Sequence, residues 1–315
     1  MARMNRPKVK VLVTGGAGFI GSHIAGYFQN RAKVRVLDNL RSGFKHNLDG
    51  IHCEFIRGSI LDRGVVRRAV RGVDYIFHLG AMVSVPESML KPVECVEINT
   101  NGTLVLLEEA ARAGVKKLIL SSSAAIYGDN PRVPKVETML PEPKSPYAVT
   151  KLDGEFYCRM FADEGRLPTT CLRYFNVFGP RQNPDSSYAA AVPAFINRAL
   201  NNQPIIIFGD GRQTRDFVQV EDVVAANAFF ATRSAATGVF NVACGRSITI
   251  NQLAATIRRL TGSRSEIQHA AARPGDVKHS LAAIGKLREA GFTPKSDFHQ
   301  GLEATIEFFK TKLGR

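Results

Sequence analysis

At 315 residues, with 44% hydrophobic and 22% charged content, the chain can bury a large core and is too apolar to be a disordered tail. Its formal net charge of +14 calls for comparison with nucleic-acid binders. Outside residues 3–10 and 63–71, however, the basic residues are scattered, and no RNP, zinc-finger or helix-turn-helix pattern accompanies them, so no nucleic-acid partner is expected.

Residues 9–13 are a short, apolar, β-branched run that predicts a buried strand, and the glycine-rich stretch TGGAGFIG at 14–21 follows before a helical segment at 22–30. Gly15, Gly18 and Gly21 have the spacing of a turn that lets a pyrophosphate approach backbone at a helix N-terminus. A second strand at 34–37 ends at Asp38, where a carboxylate can take the adenosine ribose hydroxyls. That acid favours NAD over NADP, whose 2′-phosphate it would repel, although Arg41 nearby leaves some room for the phosphorylated form. A lone glycine motif is often a plain loop; strand, turn, helix, strand and acid in order argue otherwise. Strand and helix signals alternate to about residue 180, predicting a doubly wound parallel α/β sheet over 1–180. The more mixed remainder, 181–315, predicts a smaller substrate-binding lobe partly interleaved with the first domain. The proline-rich run 131–146 reads as a loop over the site.

Further along, Ser121, Ser122 and Ser123 end a predicted strand, and SPYAVTK occupies 145–151. Ser145 suits an N-cap and Pro146 a first helical position, so Tyr147 and Lys151 fall one turn apart on one helix face. A free phenol near pKa ~10 is a poor base at neutral pH unless a cation stabilises the phenolate. Lys151 can supply that charge. Alone, the pair fits equally an aromatic packed on an amphipathic helix; beside the glycine turn and the serine cluster it suggests hydride chemistry.

Together, TGGAGFIG, DNLRSG, LSSSAAIYG, SPYAVTK, RYFNVFGPRQNP and the late RPGD resemble the extended short-chain dehydrogenase/reductase family, and within it the nucleotide-sugar 4-epimerases, over about residues 9–313. The resemblance implies that Ser123 hydrogen-bonds the reacting sugar oxygen, that Tyr147 is the acid/base and that Lys151 is its electrostatic partner. It places NAD against Gly15, Gly18, Phe19, Ile20, Gly21, Asp38, Asn39, Arg41, Ser42, Ser59, Ile60, Leu79, Gly80, Ala81, Asn99, Ser121, Tyr147, Lys151 and Tyr174. It places a UDP-sugar against Val83, Ser122, Ser123, Tyr147, Asn176, Ile206 and Phe208. Arg215 and Arg273 would clamp the pyrophosphate, as planar guanidinium groups suit phosphate, and Asp276 would take the uridine ribose; without the resemblance both arginines read as surface charges. Dehydratases and decarboxylases of this family carry an acid just after the serine or threonine, where this chain has Ala124 and Ala125, so epimerisation is the expected reaction.

Ser280, seven residues after Arg273, stands where epimerases that reject N-acetyl sugars carry tyrosine. A small residue there enlarges the pocket, so interconversion of UDP-GlcNAc and UDP-GalNAc is expected, against the plain reading of a strand-edge serine. Two positions depart from the family pattern: Gly58-Ser59 replaces Gly-Asp, and His78-Leu-Gly-Ala81 replaces His-Xaa-Ala-Ala. The helical stretches 93–113 and 145–161 resemble the pair that forms a dimer through a four-helix bundle, though either could be covered by its own chain. Five single cysteines read as reduced thiols, and seven histidines show no metal spacing, so no metal is expected. The N-terminal arm is too polar for a signal peptide and no apolar run is long enough to span a membrane; a cytoplasmic enzyme is expected. Another nucleotide sugar such as UDP-glucose or UDP-glucuronate, a reductase substrate, or a non-catalytic NAD-binding regulator are the competing readings.

Overall fold

Strand β1, Lys10–Thr14, is buried from Val11 onward, as its apolar run requires when helices cover both sheet faces. The computed structural model describes residues 9–184, 190–233, 236–272 and 277–314. Through β6 the elements are α1 (Phe19–Phe28), β2 (Lys33–Asp38), β3 (Glu54–Arg57), α2 (Arg63–Val70), β4 (Tyr75–His78), α3 (Val85–Leu90), α4 (Pro92–Val96), α5 (Gly102–Arg112), β5 (Lys117–Ser123), α6 (Pro146–Asp163) and β6 (Thr169–Tyr174). A strand at Gly238–Val242 pairs in parallel with β6. It completes a seven-stranded parallel sheet in the order β3-β2-β1-β4-β5-β6 and then this strand. This is a doubly wound α/β sheet, and its strand order reverses between β1 and β4, where a crevice opens at the carboxyl ends.

One apolar cluster joins α1 and the helix Val220–Ala231 to one face of the sheet. A second joins α2, α5 and α6 to the other. A third core lies under the helices Ala191–Leu200, Ile250–Thr261 and Phe298–Lys312. The strand Phe217–Gln219 pairs with Asn176–Phe178, and the Gly238–Val242 strand sits in the main sheet, so the latter third of the chain is threaded back into the first domain.

Two elements differ from expectation. Helix α1 begins at Phe19, three residues before Ser22, with Gly18 as an N-cap that makes no side-chain capping bond. The expected 93–113 helix is interrupted between α4 and α5 by a π-helical turn at Glu97–Asn101. Hydrophobic periodicity does not resolve one inserted residue, and such turns gather at functional sites.

Candidate active site

A cavity of about 1990 Å³ runs along the carboxyl ends of the strands. Gly15 holds φ 67°, and a Cβ there would stand 2.7 Å from the Gly80 amide; at Gly21 one would meet the Gly15 carbonyl at 2.2 Å. The β1–α1 turn therefore packs as bare backbone against the loop after β4. Because no side chain caps α1 and its first turn has no acid, its leading N–H groups are left for an anion in the cavity. Asp38 Oδ2 accepts from Ala17 N over 2.9 Å and Oδ1 from Leu40 N over 2.7 Å, aiming the carboxylate beside that turn. These features fit a dinucleotide.

Of the expected cofactor residues, Gly15, Gly18, Phe19, Ile20, Gly21, Asp38, Asn39, Arg41, Ser42, Ser59, Ile60, Leu79, Gly80, Ala81, Tyr147 and Tyr174 line this cavity. Asn99, Ser121 and Lys151 stand behind its wall. Asn99 is buried in the π turn. Its amide donates to Met82 O over 3.0 Å and to Thr150 Oγ1 over 2.9 Å, while its oxygen accepts from Met82 N over 2.7 Å. It braces the loop after β4 against α6. Val83, Ser122, Ser123, Asn176, Ile206, Phe208 and Arg215 also line the cavity. Arg273 and Asp276 fall outside the described residues. Ser280 is not among the lining residues: it lies on a segment whose amide donates to Thr214 O over 3.0 Å.

Helix α6 presents Tyr147, Lys151 and Glu155 at successive turns, and each meets the end of β5. Tyr147 and Ser123 line the cavity together, the serine hydroxyl facing the phenol. Ser123 Oγ accepts from Ala125 N over 3.1 Å, which leaves its own O–H for a neighbour. Lys151 Nζ donates to Ser121 O over 2.9 Å and lies 5.7 Å from the centre of the Tyr147 ring. Burial pushes the Lys151 amine down to about 8. Burial raises the Tyr147 phenol, and the Ser123 hydroxyl opposes it.

Glu155 accepts from Ser122 Oγ over 2.5 Å and pairs with Arg173 Nη2 over 2.7 Å, both charged side chains being only 4% exposed. The Ser122 hydroxyl is thus held by Glu155, and the pair ties α6 to both β5 and β6. The Tyr174 hydroxyl accepts from Ser121 Oγ and Asn227 Nδ2. Behind the cofactor wall, Thr103 Oγ1 donates to Asn99 O over 2.5 Å, so His78 Nε2 donates to Thr103 and Nδ1 accepts from Thr14 Oγ1 over 2.7 Å. Burial, then the Lys151 charge, pushes His78 down to about 3, in keeping with a neutral ring. Thr14 Oγ1 in turn accepts from the amides of Leu79 and Gly80.

Sequence reasoning missed Glu155, Arg173, Thr14, Thr103 and Asn227. Only Glu155 had a local signal, as the third member of the Tyr147, Lys151 series at i+4 spacing. It also missed Asp216, whose fully buried carboxylate accepts from the amides of Cys244, Gly245 and Ala282 and whose carbonyl receives Asn176. Burial pushes it up to about 6. Among the described residues no group of three or more His, Cys, Asp or Glu is placed to hold a metal ion.

The profile described as "NAD dependent epimerase/dehydratase family" matches residues 11–243. A protein named putative UDP-glucose 4-epimerase, from Methanocaldococcus jannaschii, is 35% identical over 95% of this chain and 98% of its own length. A UDP-N-acetyl-alpha-D-glucosaminuronate decarboxylase from Bacillus cytotoxicus is 34% identical, covering 96% and 98%. The structure of a UDP-N-acetylglucosamine 4-epimerase from Methanobrevibacter ruminantium, in complex with UDP-N-acetylmuramic acid, superposes with a TM-score of 0.94 at 40% identity, over 97% of this chain and 99% of that one. A Thermotoga maritima UDP-glucose 4-epimerase with UDP-glucose gives 0.93 at 42% identity, over 97% and 100%. A Thermus thermophilus UDP-glucose 4-epimerase in complex with NAD gives 0.88 at 37%, over 96% and 99%.

Proposed function

The chain belongs to the NAD dependent epimerase/dehydratase family, and from that premise we propose that it is a 4-epimerase of UDP-sugars whose preferred pair is UDP-GlcNAc and UDP-GalNAc. The cofactor is NAD. Bound against the bare β1–α1 turn and Asp38, it supplies a hydride acceptor and donor.

The observation that carries this reading is the Ser123, Tyr147, Lys151 set followed by Ala124 and Ala125. Tyr147 Oη takes the proton of the sugar 4-hydroxyl, Ser123 Oγ holds that oxygen, and the Lys151 charge steadies the phenolate. The same three groups return the proton once the 4-keto sugar has presented its other face, so no net oxidation occurs. A decarboxylase or dehydratase reading, which the Bacillus relative raises, calls for an acid after Ser123 where alanines stand. Among the described residues, the acids that line the cavity are Asp38, Glu87, Glu94 and Glu97; Glu87 and Glu94 pair with Arg41, and Asp38 is held by the amides of Ala17 and Leu40.

The acetamido preference rests on Ser280. Its segment is held by the Thr214 contact, by the Asp216 bond to Ala282 N, and by Lys135, which accepts from Ala283 N and donates to Leu281 O. Ser280 does not itself line the cavity, but a small side chain on this fixed backbone spares the neighbouring strand Thr214–Arg215 the ring that a tyrosine would add beside it. A homodimer is part of the same proposal: Val149, Phe156 and Met160 make an exposed apolar stripe along α6, near Leu90 and Val93, which are 79% and 80% exposed. So is a cytoplasmic setting, which suits five free thiols. No helix among the described residues is long and apolar enough to cross a membrane. Tyr147→Phe tests the reading: turnover should fall about 10²- to 10⁴-fold with NAD still bound, and retained turnover would contradict it.

A further inference from the structure

Arg41 follows Asp38 in the loop after β2, where a guanidinium could meet a 2′-phosphate on the adenosine ribose. Its side chain is instead turned toward the opposite wall. Nη2 reaches Glu87 Oε1 of α3 over 2.7 Å, and Nη1 hydrogen-bonds Glu94 Oε1 of α4. Lys91, between those helices, lies 3.5 Å from the other Glu94 oxygen. All four residues line the cavity, so the pairs span it from β2 to α3 and α4. Asp38 already makes this end acidic. Both neighbouring cations, Arg41 and Lys91, lean on carboxylates.

We propose that Glu87 and Glu94 are specificity-determining residues for the dinucleotide: by holding Arg41 across the adenosine end they withhold its guanidinium from a 2′-phosphate and fasten the cavity over the unphosphorylated ribose. This assignment rests on the family's use of NAD and names which of this chain's residues choose that form. Two further negative charges at this end repel a phosphate dianion, and a guanidinium bound twice by carboxylates gives up charge-assisted hydrogen bonds to reach anything else.

The test is fluorescence titration of the intact chain with NADH and with NADPH, and stopped-flow measurement of NADH release. In Glu87→Gln/Glu94→Gln the ratio of NADPH to NADH affinity should rise about tenfold or more, and NADH should leave faster. Adding Arg41→Gln to that background should remove the NADPH gain, because the phosphate loses its partner; a merely structural role would not produce that reversal. The glutamates are partly exposed, so folding should survive, and each single substitution should give part of the effect. An unchanged affinity ratio with NADH still bound would overturn the proposal alone, and uptake of neither dinucleotide by the parent chain would overturn it together with the cofactor reading.

Discussion

Lys151 Nζ is held by the carbonyl of Ser121 at 2.9 Å, so the cation that faces Tyr147 is fixed by strand β5 through a neutral acceptor. No salt-bridging carboxylate compensates its charge among the described residues. Its field is therefore available to a phenolate, and burial works against the same charge, lowering the amine from 10.5 to about 8.

That cost should be visible in stability. Between pH 8 and 10.5 the unfolded chain binds more proton at this lysine than the folded chain, so stability rises with pH across that window, and the full penalty, about 3 kcal/mol, is present below pH 8. Lys151→Met, which keeps most of the side chain's length, is expected to stabilise the cofactor-free protein at pH 7 by about 1–3 kcal/mol while abolishing turnover. The gain should shrink toward pH 10.5. Urea unfolding at pH 7 and pH 10 checks it; a variant less stable than its parent at pH 7 would contradict the assignment.

Ser280→Tyr tests the substrate preference. The segment's backbone is fixed by Thr214, Asp216 and Lys135, so an added ring must occupy space rather than shift the chain. Activity on UDP-GlcNAc should drop about tenfold or more, the cost of a few kcal/mol of lost pocket complementarity, while activity on UDP-glucose is kept. Equal activity of the variant and its parent on the acetamido substrate would remove Ser280 from the account.

Phe156, 54% exposed in the middle of the α6 stripe, tests the dimer. Isolated exposed apolar residues are ordinary, but a stripe continuous along one helix marks an interface. Phe156→Glu should convert a dimer to a monomer in light scattering without lowering helical content. A parent chain that runs as a monomer at micromolar concentration would rule the interface out.

The parts of the site readable in the sequence are those whose chemistry is local. The Gly15, Gly18, Gly21 spacing and the Tyr147, Lys151 interval each express a turn or a helix within a few residues, and both line or face the cavity as that local geometry requires. Even so, the helix expected over 22–30 begins at Phe19, because the last turn of the glycine-rich stretch is itself the first turn of the helix. What was not readable depends on tertiary approach. Arg41 meets Glu87 and Glu94 across 46 and 53 residues, and Glu155 meets Arg173 across 18. His78 is held by Thr14 and Thr103 from two other elements. No periodicity announces such pairs. Ser280 was placed by its distance from a motif, and sequence distance says nothing of whether a side chain reaches the cavity.

The most direct measurement is to incubate the purified protein with UDP-GlcNAc and, separately, with UDP-glucose, in the presence of NAD, and to resolve the products by NMR alongside absorbance at the NADH band. The account predicts the C4 epimer of the acetamido sugar, approached from either direction, with no net NADH. A dehydrated 4-keto product, or no epimer from either sugar, would contradict it.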